Sequence, residues 1–113
     1  MQHFEGNGRL SQVIVNGDII YLSGQTSQNG GSVEEQTKAV LNKIDAILEK
    51  YGSDKRHVLS ARIFLRDMRD FQEMNTVWDA WVEKGYEPTR ACVEARLASD
   101  MIGVEIVIIA VKK

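Results

Sequence analysis

One cysteine, one proline and two histidines are all that this 113-residue chain holds of three residue types that usually announce a fold or a chemistry. With Cys92 alone, no disulfide can form within the chain, so a reducing compartment, the cytoplasm, is expected. His3 and His57 stand far apart, and neither H-x-x-x-H nor C-x-x-C spacing occurs, so no metal site is expected. There is no G-x-G-x-x-G run and no P-loop; Gly6-Asn7-Gly8 and Gly30-Gly31 are expected in turns. No nucleophile-elbow motif supports a serine triad. The longest apolar run, Ile106 to Val111, falls well short of the ~20 residues that span a membrane. The opening MQHFEGNGRL has neither a basic nor an apolar stretch, so no signal peptide is expected. Charge is nearly balanced, 14 basic against 16 acidic residues, for a net charge of -2. A nucleic-acid partner would ask for a basic stripe; Lys112 and Lys113 do not make one. With Pro88 as the single proline and no linker or repeat, residues 1–113 are expected to form one domain.

What is present is periodic. Val13 to Val15 and Ile19 to Ser23 flank Asn16-Gly17-Asp18, which predicts a β-hairpin with a type I′ turn, its second strand closed by Gly24. A polar loop, Gln25 to Ser32, follows. Ser32 and Glu35 form an S-x-x-E capping box, and Val33, Val40, Leu41, Ile44, Ile47, Leu48 and Tyr51 make one helical face ending at Gly52. His57 to Arg66 alternates as a strand, with Leu59, Ala61, Ile63 and Leu65 on one apolar face. A second helix is expected from Asp70 to Lys84-Gly85, with Phe71, Met74, Val77, Trp78, Trp81 and Val82 inward. The two tryptophans are assigned to helix-to-sheet packing. Thr89 to Arg96 is a strand whose alanines, Ala91 and Ala95, are expected under a helix, leaving Arg90, Cys92, Glu94 and Arg96 on the far face. Val104 to Val111 is apolar on both faces, so both must be covered. Two helices cover only one, and no sequence remains for another layer; a second copy of the chain is the simplest cover. The expected fold is therefore α+β: a two-layer sandwich of a mixed β-sheet with two helices on one face, in the order ββαβαββ.

Chemistry concentrates in TRACVEAR. Arg90 and Cys92 lie two apart on a strand and share a face, their Cα atoms ~6.5 Å apart. A guanidinium offers a planar fork for a carboxylate. Glu105 opens the next strand and supplies a carboxylate to handle a water, so the two make a workable hydrolytic pair. On pattern alone a structural role is the stronger: Arg90 and Glu105 paired across a subunit interface, and Cys92 a small buried hydrophobe.

The run PTRACVEARLASDMIGVEIVIIAV resembles the C-terminal signature of the RidA/YjgF reactive-intermediate deaminases. Arg90, Cys92, Arg96-Leu97, Glu105 and Ile109-Ala110-Val111 match in order and spacing. So do Tyr21 to Gln25, the first helix, IFLRDMRDF and Met74-Asn75, and the likeness covers nearly the whole chain. NKIDAILEKYGSDK and MNTVWDAWVEKGYEPTR are most similar to the YoaB-like branch. The resemblance implies a chorismate-mutase-like fold and a homotrimer with sites in the clefts between subunits. It also implies cofactor-free hydrolysis of 2-imino or 2-enamino acids, such as 2-iminobutanoate and 2-iminopropanoate, to 2-keto acids and ammonia. In that scheme Arg90 binds the carboxylate, and Cys92, Ser23, Gly24 and Asn75 line the pocket. Glu105 orients or activates the water. One departure is visible: Gly8-Arg9-Leu10-Ser11-Gln12 stands where many members have Gly-Pro-Tyr-Ser-Gln, so Leu10 replaces a hydrogen-bonding tyrosine. A non-catalytic carboxylate-binding or protein-interaction module of the same fold is the alternative. A nucleic-acid-directed activity is a third, which the acidic balance opposes.

Overall fold

Alternating side chains and two amphipathic periods generate the fold, which a computed structural model describes over residues 1–113. Strand β1 (Gln2–Gly6) opens the chain, and β2 (Ser11–Asn16) and β3 (Ile19–Leu22) form the expected hairpin. Asn16 pairs with Ile19, so Gly17 and Asp18 are the central pair of the turn. Only Gly17 has positive φ, at 62°, the pattern of a type II′ rather than the expected type I′ turn. β1 was not expected, because QHFEG has one apolar side chain, Phe4, and no period to read. It adds to the edge of β2 with Phe4 opposite Val13. A two-residue strand, β4 (Gln25–Thr26), lies inside the predicted polar loop and pairs with the last strand.

Helix α1 (Val33–Lys50) begins as predicted: Ser32 Oγ accepts from the Glu35 backbone N–H, and the Glu35 side chain accepts in return. Gly52, at φ 85°, follows its end. Helix α2 (Phe71–Trp81) stops three residues before Lys84, where Val82 turns extended. Asp70 stands at its N-cap without a side-chain cap bond; Asp67 instead caps the 3₁₀ turn Met68–Asp70 that leads in. Between the helices runs β5 (Val58–Leu65), which carries a bulge between Val58 and Ser60. The extra residue inverts the alternation at its start. Val58 points into the core and Leu59, expected inward, is 47% exposed.

β6 (Thr89–Glu94) and β7 (Val104–Val111) complete a seven-stranded sheet in the order β1-β2-β3-β7-β5-β6, with β4 beside β7. Only β5 and β6 are parallel, so the sheet is mixed. Arg66 ties the loop between β6 and β7 by donating to the carbonyls of Leu97, Ser99 and Ile102. Both helices pack on one face, as expected for the α+β sandwich. The predicted ββαβαββ order holds with β1 added in front and β4 before α1. Val104, Ile106, Ile108 and Ala110 of central β7 are wholly buried beneath the helices. Glu105, Val107, Ile109 and Val111 face the other side and are only half-buried. Cross-strand pairing aligns Ile14, Tyr21 and Ile109 in one row of that side, and Phe64 opposite Glu105 in another. The doubly apolar strand thus has one face uncovered within the chain. Neither helix is long and apolar enough to cross a membrane.

Candidate functional site

β6 is one of the two edge strands, and its register decides where the site residues point. Arg90 lies opposite Ala61, Cys92 opposite Ile63 and Glu94 opposite Leu65. Directly paired residues share a sheet face. Ala61, Ile63 and Leu65 are core residues under the helices, so Arg90, Cys92 and Glu94 stand on the helix side. This reverses the expectation from sequence. Ala91 and Ala95 do not admit a helix; with Val93, which is 50% exposed, they form part of the open face. The alternation of β6 could not reveal this, because neither of its faces is strongly apolar and an edge position leaves room for charge beside the helices.

At that edge Arg90 meets α2. Its Nη1 donates to Asn75 Oδ1 at 2.8 Å. The guanidinium carbon lies 5.4 Å from the Trp78 ring centre and 5.8 Å from that of Phe71. Phe71, Asn75 and Trp78 follow the i, i+4, i+7 spacing that places side chains on one helix face. Trp78 and Trp81 are both buried in the core cluster that the helices share with the sheet. Sequence reasoning missed that the Trp78 ring also lies beneath Arg90; the recurrence of aromatic, amide and aromatic on one helix face was the available signal. None of the ion pairs in the chain includes Arg90 or Glu105. The exposed guanidinium is therefore oriented by an amide and two rings, and no carboxylate of the chain pairs with it. Cys92, two residues on, is half-buried against the core. Burial pushes its thiol pKa up, and Arg90 opposes that only in part. A protonated thiol is a poor nucleophile.

A second cluster occupies the opposite sheet face. Glu105 lies between Thr26 of β4 and Phe64 of β5. Its carboxylate crosses the Cα of Gly24: a Cβ there would sit 2.8 Å from both Cδ and Oε2. Ser23, next to it, donates its hydroxyl to the Ser11 carbonyl at 2.6 Å. Leu10, 44% exposed, ends the turn between β1 and β2 that Asn7 organises by accepting from the Arg9 and Leu10 backbone N–H groups. The fold thus assembles Arg90, Asn75 and Cys92 on one side and Ser23, Gly24 and Glu105 on the other. Arg90 and Glu105 do not share a sheet face within one chain. No three His, Cys, Asp or Glu side chains converge as metal ligands. His57 is paired with Asp54 at 2.6 Å, and His3 lies at the exposed edge beside Ser11.

Known proteins share this fold. The chain matches the Endoribonuclease L-PSP family over residues 1–112. It is 44% identical over 112 residues to a RutC family protein of Haemophilus influenzae, with 97% of each chain covered. It is 42% identical over 106 residues to the RutC family protein YoaB of Escherichia coli K12, covering 94% of this chain and 93% of that one. Among solved structures, a member of the YjgF protein family from Neisseria meningitidis superposes with a TM-score of 0.96 at 52% identity. That match covers 99% of this chain and 94% of the other. A match over almost the full length, together with these identities, means that the chain belongs to the Endoribonuclease L-PSP family, also known as the RidA/YjgF family, in its YoaB-like branch.

Proposed function

We propose that this protein hydrolyses small 2-imino and 2-enamino acids to 2-keto acids and ammonia, without a cofactor, in clefts between the subunits of a homotrimer. The observation that carries this reading is Arg90: a guanidinium held by Asn75 against two rings, with no carboxylate partner of its own. A small carboxylate laid on its open edge completes the bidentate pairing that the planar fork favours. Ser23, Gly24 and Glu105 lie on the far face of the same sheet, so a complete site takes these three from a neighbouring copy. In the reaction water adds to the imine carbon and its proton passes by way of Glu105 to the nitrogen. The carbinolamine then collapses: its hydroxyl proton passes to the nitrogen, the carbonyl double bond forms as the C–N bond breaks, and ammonia leaves. One water enters, one ammonia departs, and no redox change occurs. The raised thiol pKa of Cys92 fits this scheme, which needs no covalent step.

The separation of Arg90 and Glu105 within the chain favours a second reading, a non-catalytic carboxylate-binding module. The family description names an endoribonuclease, but a net charge of -2 gives little purchase on a phosphate backbone. Arg90→Lys, assayed on freshly generated 2-iminobutanoate and 2-iminopropanoate, tests the proposal. Lysine keeps the charge and loses the fork. Truncating a desolvated charged contact costs ~2–5 kcal/mol, roughly 30- to several-thousand-fold in kcat/KM at ~1.36 kcal/mol per decade. Wild-type turnover by the Arg90→Lys protein removes Arg90 as the anchor. A wild-type protein that binds 2-oxobutanoate but leaves the imines to decay unassisted selects the binding module.

A further inference from the structure

We infer that Trp78 is a positioning residue for carboxylate recognition, holding the Arg90 guanidinium against α2; the inference rests on the assignment of Arg90 as the anchor. Arg90 projects from an edge strand and is exposed. A long side chain in that position samples many rotamers, and fixing it lowers the entropy that a ligand must overcome. Three contacts restrict it here. Asn75 supplies one acceptor to Nη1. Phe71 is only partly buried, as the first residue of α2. Trp78 is 5% exposed, so its ring cannot swing away from the guanidinium.

The ring is fixed from behind as well. Trp78 packs on Trp81 with ring centres 5.3 Å apart and planes at 46°. The Trp81 indole N–H is shared between both carboxylate oxygens of Asp45 on α1, at 3.0 and 3.1 Å. Arg90 therefore rests on a surface anchored to both helices. A cation within about 6 Å of an indole centre is attracted to the ring face, and indole is the strongest such partner among the aromatics. With Asn75 taking Nη1, the cation–π contact restricts where the fork sits while its remaining N–H groups stay free to meet a carboxylate. Packing alone would be served by any large apolar side chain at position 78; positioning requires an aromatic face.

The test compares Trp78→Leu, Trp78→Phe, Trp81→Leu and Arg90→Lys. The readouts are 2-oxobutanoate binding, the KM and kcat for 2-iminobutanoate, and the Arg90 Nε–Hε resonance, identified by its loss in Arg90→Lys. Trp78→Leu is expected to move that resonance and to raise Kd and KM roughly 2- to 30-fold, the range that the strength of such a contact implies. Its effect on kcat is expected to be much smaller, the signature of lost ground-state binding. Trp78→Phe also removes core volume but keeps an aromatic face, and should restore most of the affinity. Trp81→Leu, which removes the support behind Trp78 but not the ring facing Arg90, is expected to lower the melting temperature and to raise Kd by less than Trp78→Leu does. The positioning role is overturned if Trp78→Leu shifts Kd no more than Trp81→Leu, if Trp78→Phe behaves like Trp78→Leu, or if the Arg90 resonance does not move. Arg90→Lys binding 2-oxobutanoate like wild type would instead overturn the anchor assignment itself.

Discussion

At the scale of single residues, Gly24 is the position whose chemistry the backbone states most directly. Any Cβ there collides with the Glu105 carboxylate at 2.8 Å. The obstructing atoms are the end of a flexible side chain, so the carboxylate should give way and the backbone should not. Gly24→Ala is therefore expected to fold and melt like wild type while displacing Glu105. On the proposed reaction, Glu105→Gln, which removes the charge and basicity of the carboxylate, should slow imine hydrolysis by ~10²-fold, and Gly24→Ala should lose part of the same factor. The double variant should be no slower than Glu105→Gln alone, because both changes act on one group. Steady-state rates of the three proteins decide it. Additive losses would place Gly24 and Glu105 in separate roles.

At the scale of elements, the first strand depends on a latch. Glu5, the one non-glycine residue with positive φ, at 54°, accepts the Tyr51 hydroxyl at 2.6 Å and Lys50 Nζ at 3.3 Å. Phe4 packs on the Tyr51 ring, with centres 5.0 Å apart. A left-handed conformation at glutamate costs energy, and these contacts at the end of α1 hold it. The Glu5 hydrogen bond, with burial second, pushes Tyr51 up to about 12. The hydrogen bonds from Tyr51 and then Lys50 hold Glu5 below its ordinary 4.5. Each sign follows. The raised tyrosine contributes below its ordinary 10.0 and loses that contribution as pH rises through about 12. The lowered glutamate contributes above 4.5 and loses it as pH falls through its depressed value. The latch therefore holds across the neutral range and opens at both extremes. Ultraviolet titration should show one of the three tyrosines ionising late, near 12. Tyr51→Phe should abolish that phase and speed amide exchange in Gln2–Gly6 at neutral pH, with β7 unaffected. Unchanged exchange would mean that strand pairing alone holds β1.

At the scale of the whole molecule, the open sheet face is the consequence of a chain with two helices and seven strands. Ile14, Tyr21, Phe64, Val93, Val107 and Ile109 lie on it without a covering layer. An apolar surface of this kind is usually closed by association, and a homotrimer closing it is part of the proposal. Ile109→Lys changes that face alone, since its neighbours Ile108 and Ala110 are the ones in the core. It is expected to reduce the light-scattering mass from three chains to one and to abolish turnover, with helical circular dichroism retained. A trimer that persists would place the contact surface elsewhere.

Local signals were sufficient for much of this protein. The capping box at Ser32, the glycine after α1, the hairpin at Gly17 and the two faces of Val104–Val111 depend on neighbours within a turn or a strand. So they could be read in order along the chain, and the family signature from Arg90 to Val111 likewise. What the sequence left open depends on pairing between distant segments. Which way β6 faces is set by its register against β5, and Arg90 lies on the helix side because it stands opposite Ala61. The bulge that turns Leu59 outward belongs to the pairing of β5 with β7. β1 had no apolar period to reveal it and forms because β2 offers an unpaired edge and Tyr51 a partner for Glu5. Alternation along a strand establishes that two faces exist; only hydrogen bonding to the next strand decides which of them meets the helices.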